Sequence, residues 1–189
     1  MIPDETLARA ARAGDRAAFD TLVDRHARRV FLFAYARLRD RHDAEEAAQE
    51  TFLKVWSARR RFDDRRSFAT WLFAVAYRET VNVVRRRQRE ARARDAQREA
   101  PTRPAHDLVA EGNIWALASR VLDDEGYTAL YLRYVGERTP REIASILGRS
   151  SAWARVTLHR ARQRLEKELG EEPAGEEGYA LAFPAGGAT

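Results

Sequence analysis

The chain has 189 residues, 33% of them charged, with 34 Lys+Arg against 29 Asp+Glu for a formal net charge of +5. It contains no cysteine, which excludes disulfides, thiol switches and cysteine-ligated zinc within it; its four histidines lack ligand spacing, so no metal and no other cofactor is expected. No apolar run approaches the ~20 residues that span a bilayer, and the acidic start Ile2-Pro3-Asp4-Glu5 is unlike a signal peptide, so the expectation is a cytoplasmic protein without membrane insertion.

Modest glycine and proline beside so many charges predict an all-α chain. Residues 4–13 read as a short helix with Leu7, Ala10 and Ala11 at helical spacing, broken by Gly14. Asp15 can cap the next, whose apolar positions run Phe19, Leu22, Val23, His26, Val30, Phe33, Ala34 and Leu38. That three-four alternation is the buried face of a bundle helix. A third helix is predicted to start at Asp43, where Asp43-Ala44-Glu45-Glu46 has the form of a capping box. Ala48, Phe52, Val55 and Trp56 would face the core, leaving Glu45, Glu46, Gln49 and Glu50 mostly on the outside. An acidic outer face on a basic protein suits either solvent or a basic protein partner.

Residues 59–66 read as a polar loop, and Ser67 as the cap of a long helix. Phe68, Trp71, Leu72, Val75 and Ala76 form its buried stripe, with Phe73 and Tyr77 on another face. The segment ends in an arginine run: residues 85–98 hold seven arginines against Glu90 and Asp95. Aromatic rings interleaved with arginine offer stacking faces and phosphate contacts to a single-stranded nucleic acid; plain core packing and a solvated helix surface are the alternatives. The two prolines of residues 99–107 mark a linker. The tail, residues 170–189, is acidic, rich in glycine and predicted to be flexible.

Beyond the linker, Leu108, Val109, Ile114, Leu117, Ala118, Val121 and Leu122 predict one helix. Asp123 or Asp124 caps another, with Tyr127, Leu130, Tyr131 and Tyr134 facing inward. Thr139-Pro140-Arg141-Glu142 is then a near-complete helix start, with a capping threonine, proline at the first helical position and a reciprocating glutamate. Ile143, Ile146 and Leu147 form its apolar stripe, and Gly148 ends it in a left-handed turn. A basic helix reopening at Ser150 or Ser151 completes a helix-turn-helix, whose second helix can enter a DNA major groove. An ordinary helical hairpin with solvated arginines has the same pattern.

Taken in order, these motifs resemble an extracytoplasmic-function (ECF) sigma factor of bacterial RNA polymerase. The resemblance covers roughly residues 5–98 and 108–169. Its most specific stretch is residues 43–56, followed by Phe62…Ser67-Phe68…Trp71-Leu72 and, later, Glu142-Ile143-Ala144…Leu147-Gly148 and Leu158-His159-Arg160-Ala161-Arg162. It implies two small helical domains, residues 1–98 and 108–169, joined by a flexible linker, the second carrying the helix-turn-helix. It further implies that Asp43, Glu46, Gln49, Glu50, Leu53 and Trp56 bind core polymerase at the β′ clamp helices, with the β flap as a further contact. Phe62, Arg65, Arg66, Ser67, Phe68, Arg78, Asn82, Arg85 and Arg86 would engage the promoter's minus-ten element, trapping a base extruded from the non-template strand. Arg149, Ser151, Trp153, Arg155, Thr157, His159 and Arg162 would read the minus-thirty-five element. No catalytic residue is implied, and an anti-sigma factor is a further partner the family admits.

The chain departs from the family pattern in places. Ala74 stands where arginine is common, Arg78 where asparagine is, and Asp123 where proline is. Trp153-Ala154-Arg155-Val156-Thr157 replaces a stretch that usually reads threonine-valine, then basic-serine-arginine. The polymerase motif is therefore better kept than the promoter-reading surfaces, which leaves a second expectation open: a sigma-like decoy that binds an anti-sigma factor and scarcely touches promoters.

Overall fold

The structure is a computed structural model that describes residues 2–95 and 114–171. Their regular structure is helical: α1 (Asp4–Ala13), α2 (Arg16–Leu38), α3 (Arg41–Ala58), a 3-10 turn (Arg59–Arg61), α4 (Phe68–Asp95), α5 (Ile114–Val121), α6 (Asp124–Tyr134), α7 (Pro140–Leu147) and α8 (Ser151–Glu171). The contacts divide the chain into two compact units, one carrying α1–α4, the other α5, α6, most of α7 and α8. Among the described residues no helix is long and apolar enough to cross a membrane. Residues 99–107, Leu108, Val109 and the tail beyond residue 171 lie outside the described residues.

In the first unit α2, α3 and α4 pack on one another and α1 lies against α2, α4 and the 3-10 turn. Leu22, Val30, Phe33, Ala34 and Leu38 are buried along α2, as their spacing predicts. Ala34, Leu38, Ala44, Ala47 and Val83 form one core cluster, where alanines let α3 approach closely. Phe73, on another face of α4, is core as well: it is 1% exposed and meets Phe33 edge-on, ring centroids 5.4 Å apart. The α4 stripe is wider than the spacing suggested because both α2 and α3 cover it.

The start of α3 is corrected as well. Asp40, not Asp43, is its cap, its side chain accepting from the Asp43 amide at 2.9 Å. Ser67 does cap α4, its Oγ accepting from the Thr70 amide at 3.4 Å. Glu5 reaches across from α1 to accept the Phe68 amide at 3.3 Å, and Arg12 donates to the Phe62 carbonyl at 3.3 Å. Both ends of the loop 62–68 are thus tied to α1, a restraint that local pattern cannot reveal.

In the second unit α8 packs against α5 and α6. Asp123 caps α6, accepting from the Gly126 amide at 2.7 Å. The capping box of α7 forms as predicted: Thr139 N donates to Glu142 Oε2 at 2.9 Å while Thr139 Oγ1 accepts from the Glu142 amide at 3.3 Å. Gly148 has φ +66°, and the Arg149 amide closes the turn on the Ala144 carbonyl at 2.8 Å. Ser150 caps α8 by accepting from the Trp153 amide at 3.1 Å.

Candidate functional site

On α3 the expected polymerase contacts divide into two groups. Gln49, Glu50 and Leu53 follow one another at helical spacing and are exposed, Leu53 at 60%. Among the described residues nothing pairs with Glu50. Leu53 thus shares an exposed strip of α3 with the amide of Gln49 and the one unpaired acid, Glu50, a surface open to a partner protein.

Asp43, Glu46 and Trp56 are engaged within the chain, Asp43 nearly buried and the other two part-exposed. Arg86 of α4 grips Glu46 with two parallel hydrogen bonds of 2.7 and 2.8 Å and reaches Asp43 at 2.9 Å. Arg87 pairs with Asp43 too, and donates to the Leu38 carbonyl at 3.0 Å. The Arg86 hydrogen bonds hold the Glu46 carboxyl below its ordinary range, against a small desolvation cost, and Glu46 in return pushes the guanidinium up. Trp56 is half-buried, tilted against Phe19 at 5.0 Å, with the Arg59 guanidinium 4.0 Å over its ring. These three residues shape α3 rather than decorate it.

The minus-ten set also divides. Phe62 is 3% exposed and Phe68 2%; each meets the other and Trp71, with centroids 5.3 to 6.1 Å apart. The expected stacking platform at Phe62 and Phe68 is therefore corrected to core packing: rings enclosed by other rings and by α1 have no face left for a base. The void beside them, lined in part by Ala8, Leu22 and Arg59, is about 10 Å³, room for one water and not for a base. Ser67 is half-buried and spent on its cap. Arg86 is spent on carboxylates, which corrects its expected DNA contact.

Arg65, Arg66, Arg78, Asn82 and Arg85 are exposed. Arg66 has only a loose 3.8 Å pair with Asp63, and Asn82 a 3.4 Å contact with Glu79. Arg78, Arg85 and Arg89 recur at seven and four residues, on one side of α4, and none has a partner among the described residues. Arg89 belongs to the arginine run of residues 85–98 and joins the expected minus-ten set by its place on this side. Beneath them the buried Glu79 is neutralised by Lys54 of α3. Arg37 donates to Thr80 at 2.9 Å and lies 4.7 Å over the Tyr77 ring. The charges set directly beneath the bare arginines, on Glu79 and Arg37, are thus engaged within the bundle.

In the second unit Ala154, Leu158, Ala161 and Leu165 are buried along α8, and Ala152, Arg155, Val156, His159, Arg160, Arg162 and Gln163 are exposed. Ser151, Trp153 and Thr157 are half-buried on its flanks. Arg149 pairs with Glu125 of α6 and lies 5.7 Å over the Trp153 ring, so two expected readers hold one another. A short capped helix, a glycine turn and an exposed basic helix have the geometry to enter a major groove.

Comparison with known proteins fits both units. Residues 22–90 match Sigma-70 region 2 and residues 128–165 match Sigma-70, region 4. The chain is 32% identical over 168 residues to the RNA polymerase sigma factor CarQ of Myxococcus xanthus, covering 85% of this chain and 94% of that one. It is 28% identical over 173 residues to the ECF RNA polymerase sigma factor SigW of Bacillus subtilis, covering 84% and 92% respectively. Among solved structures, that of CnrH in complex with the cytosolic domain of CnrY superposes with a TM-score of 0.68 at 26% identity, covering 90% of this chain and 99% of that one. The chain belongs to the ECF family of RNA polymerase sigma factors, which bind core polymerase and promoter DNA to direct transcription initiation.

Proposed function

We propose that the two bare faces of the first unit divide the work of initiation. On α3, Gln49, Glu50 and Leu53 dock on the polymerase β′ clamp helices. Arg65, Arg66, Arg78, Asn82, Arg85 and Arg89 follow the non-template strand of the melted minus-ten element. Extruding a base costs a few kcal/mol, which phosphate contacts to those arginines offset. In the second unit Arg155, His159 and Arg162 read the minus-thirty-five duplex, with the β flap as the surface that carries it. The segment outside the described residues acts as tether, so each contact raises the effective concentration of the other. The chain performs no covalent chemistry; it works in the cytoplasm, where the polymerase supplies the catalysis.

The observation that carries this reading is the exposed strip Gln49, Glu50 and Leu53 on α3, set against bare arginines on α4 of the same bundle. The test is transcription reconstituted from core polymerase, this chain and genomic fragments, which yields specific start sites. Glu50→Arg is expected to weaken core binding while circular dichroism stays unchanged. Unaltered core affinity in that variant removes Glu50 from the docking face. By likeness to CnrH, solved with a cytosolic domain of CnrY, a regulatory protein of the anti-sigma kind is a further proposed partner. Absence of any specific start with retained anti-sigma binding would favour the decoy reading instead.

A further inference from the structure

The recognition helix carries a side chain that its charge pattern does not explain. At 100° per residue, the buried line Ala154, Leu158, Ala161 and Leu165 fixes the opposite meridian of α8 at Ala152, Val156 and Gln163, with Arg155 and His159 on one flank and Arg160 on the other. Val156 is 48% exposed at the centre of that face, in the second turn of the helix. A β-branched residue there gains nothing from helix propensity, which favours alanine or arginine, and gains little from packing. It has no hydrogen-bonding group, so it cannot serve a phosphate or a base-edge amide. In the major groove the apolar feature presented by a base edge is the thymine 5-methyl group.

We infer that Val156 is a specificity-determining residue that seats a thymine methyl of the minus-thirty-five duplex, while Arg155 and His159 beside it supply polar contacts to the neighbouring pairs. This rests on the reading of α8 as the helix that enters the groove. The arrangement selects thymine at one position by burying two apolar surfaces against each other, and a serine at 156 would not.

The test uses holoenzyme reconstituted from core polymerase and the full chain. A duplex pool randomised over the minus-thirty-five element is selected by the holoenzyme, and each thymine of the recovered sequence is then replaced singly by uracil, which removes only the methyl. The expected result is one position at which uracil weakens binding roughly four-fold, the worth of one buried methyl. Val156→Ala and Val156→Ser are expected to lose that same factor on the thymine duplex and to become indifferent to uracil there. Helix propensity makes the alanine variant at least as well folded, and circular dichroism checks both. The inference is overturned if both variants keep the wild-type response at every thymine, or if no thymine responds in the wild type. If Arg155→Ala leaves the selected sequence unchanged, or no sequence is selected at all, the groove-entering reading of α8 falls and takes this inference with it.

Discussion

Arg86 shows how much a single side chain can change in meaning once its neighbours are known. As one of seven arginines within residues 85–98 it reads as a phosphate ligand, yet it spends its donors on Asp43 and Glu46. Arg86→Ala is expected to destabilise the fold by about 1–2 kcal/mol, because it unpairs Glu46 and leaves the nearly enclosed Asp43 to Arg87 alone; the figure stays below that for a fully buried pair because Arg86 and Glu46 are partly solvated. Arg66→Ala, by contrast, removes a loose exposed pair and is expected to cost almost nothing. Urea denaturation of the two variants compares them directly. Acid should expose the same ties. Glu46 is held low by Arg86; at Asp4 burial pushes the carboxyl up, but hydrogen bonds from Arg25 and His26 outweigh it and hold it low. A carboxyl with a depressed folded pKa contributes stability that is complete above its unfolded value and is lost as pH falls through the folded one. Stability should therefore decline below about pH 4.5, near the ordinary glutamate value, and decline less steeply in Arg86→Ala, which has already lost the Glu46 share.

Among the elements, those whose signals are local were legible from sequence and those fixed by distant partners were not. Thr139, Glu142, Gly148 and Ser150 act within four residues of where they stand, so the helix-turn-helix could be read from its punctuation. The cap of α3 was placed three residues late because Asp40 and Asp43 are both plausible caps, and only Arg86 and Arg87, over forty residues away, decide between them. The burial of Phe68 beside Trp71 is legible in the α4 stripe, whereas that of Phe62 is not, because the α1 helix that closes over the loop lies about fifty residues earlier in the chain. Thr139→Ala is expected to cost about 1 kcal/mol, seen as faster amide exchange over the first turn of α7. Gly136→Ala should cost more than Gly148→Ala. A Cβ at 136 would sit 2.8 Å from the Leu132 carbonyl oxygen, whereas 148 has open space and needs only a left-handed backbone. Thermal midpoints of the two variants give the order.

At the scale of the whole molecule, a net charge of +5 understates the polyanion surface, because several arginines are matched internally while Arg78, Arg85 and Arg89, unmatched, gather on one side of α4. Affinity of the holoenzyme for a minus-ten single strand is expected to fall with salt. Arg78→Ala and Arg85→Ala should each lower the slope of log affinity on log salt by about 0.7, if each neutralises one phosphate. Arg86→Ala should leave the slope unchanged, and a titration series in potassium chloride separates the two classes.

The lattice of Asp40, Asp43 and Glu46 with Arg86 and Arg87 also constrains inheritance. Acids that look like a signature of partner recognition are kept in place by an internal creditor as well. In descendants of this chain, substitutions at those five positions should travel together, one sign change drawing another after it. Such acids would persist even in a lineage whose partner had drifted away, so the signature alone would outlive the association it advertises.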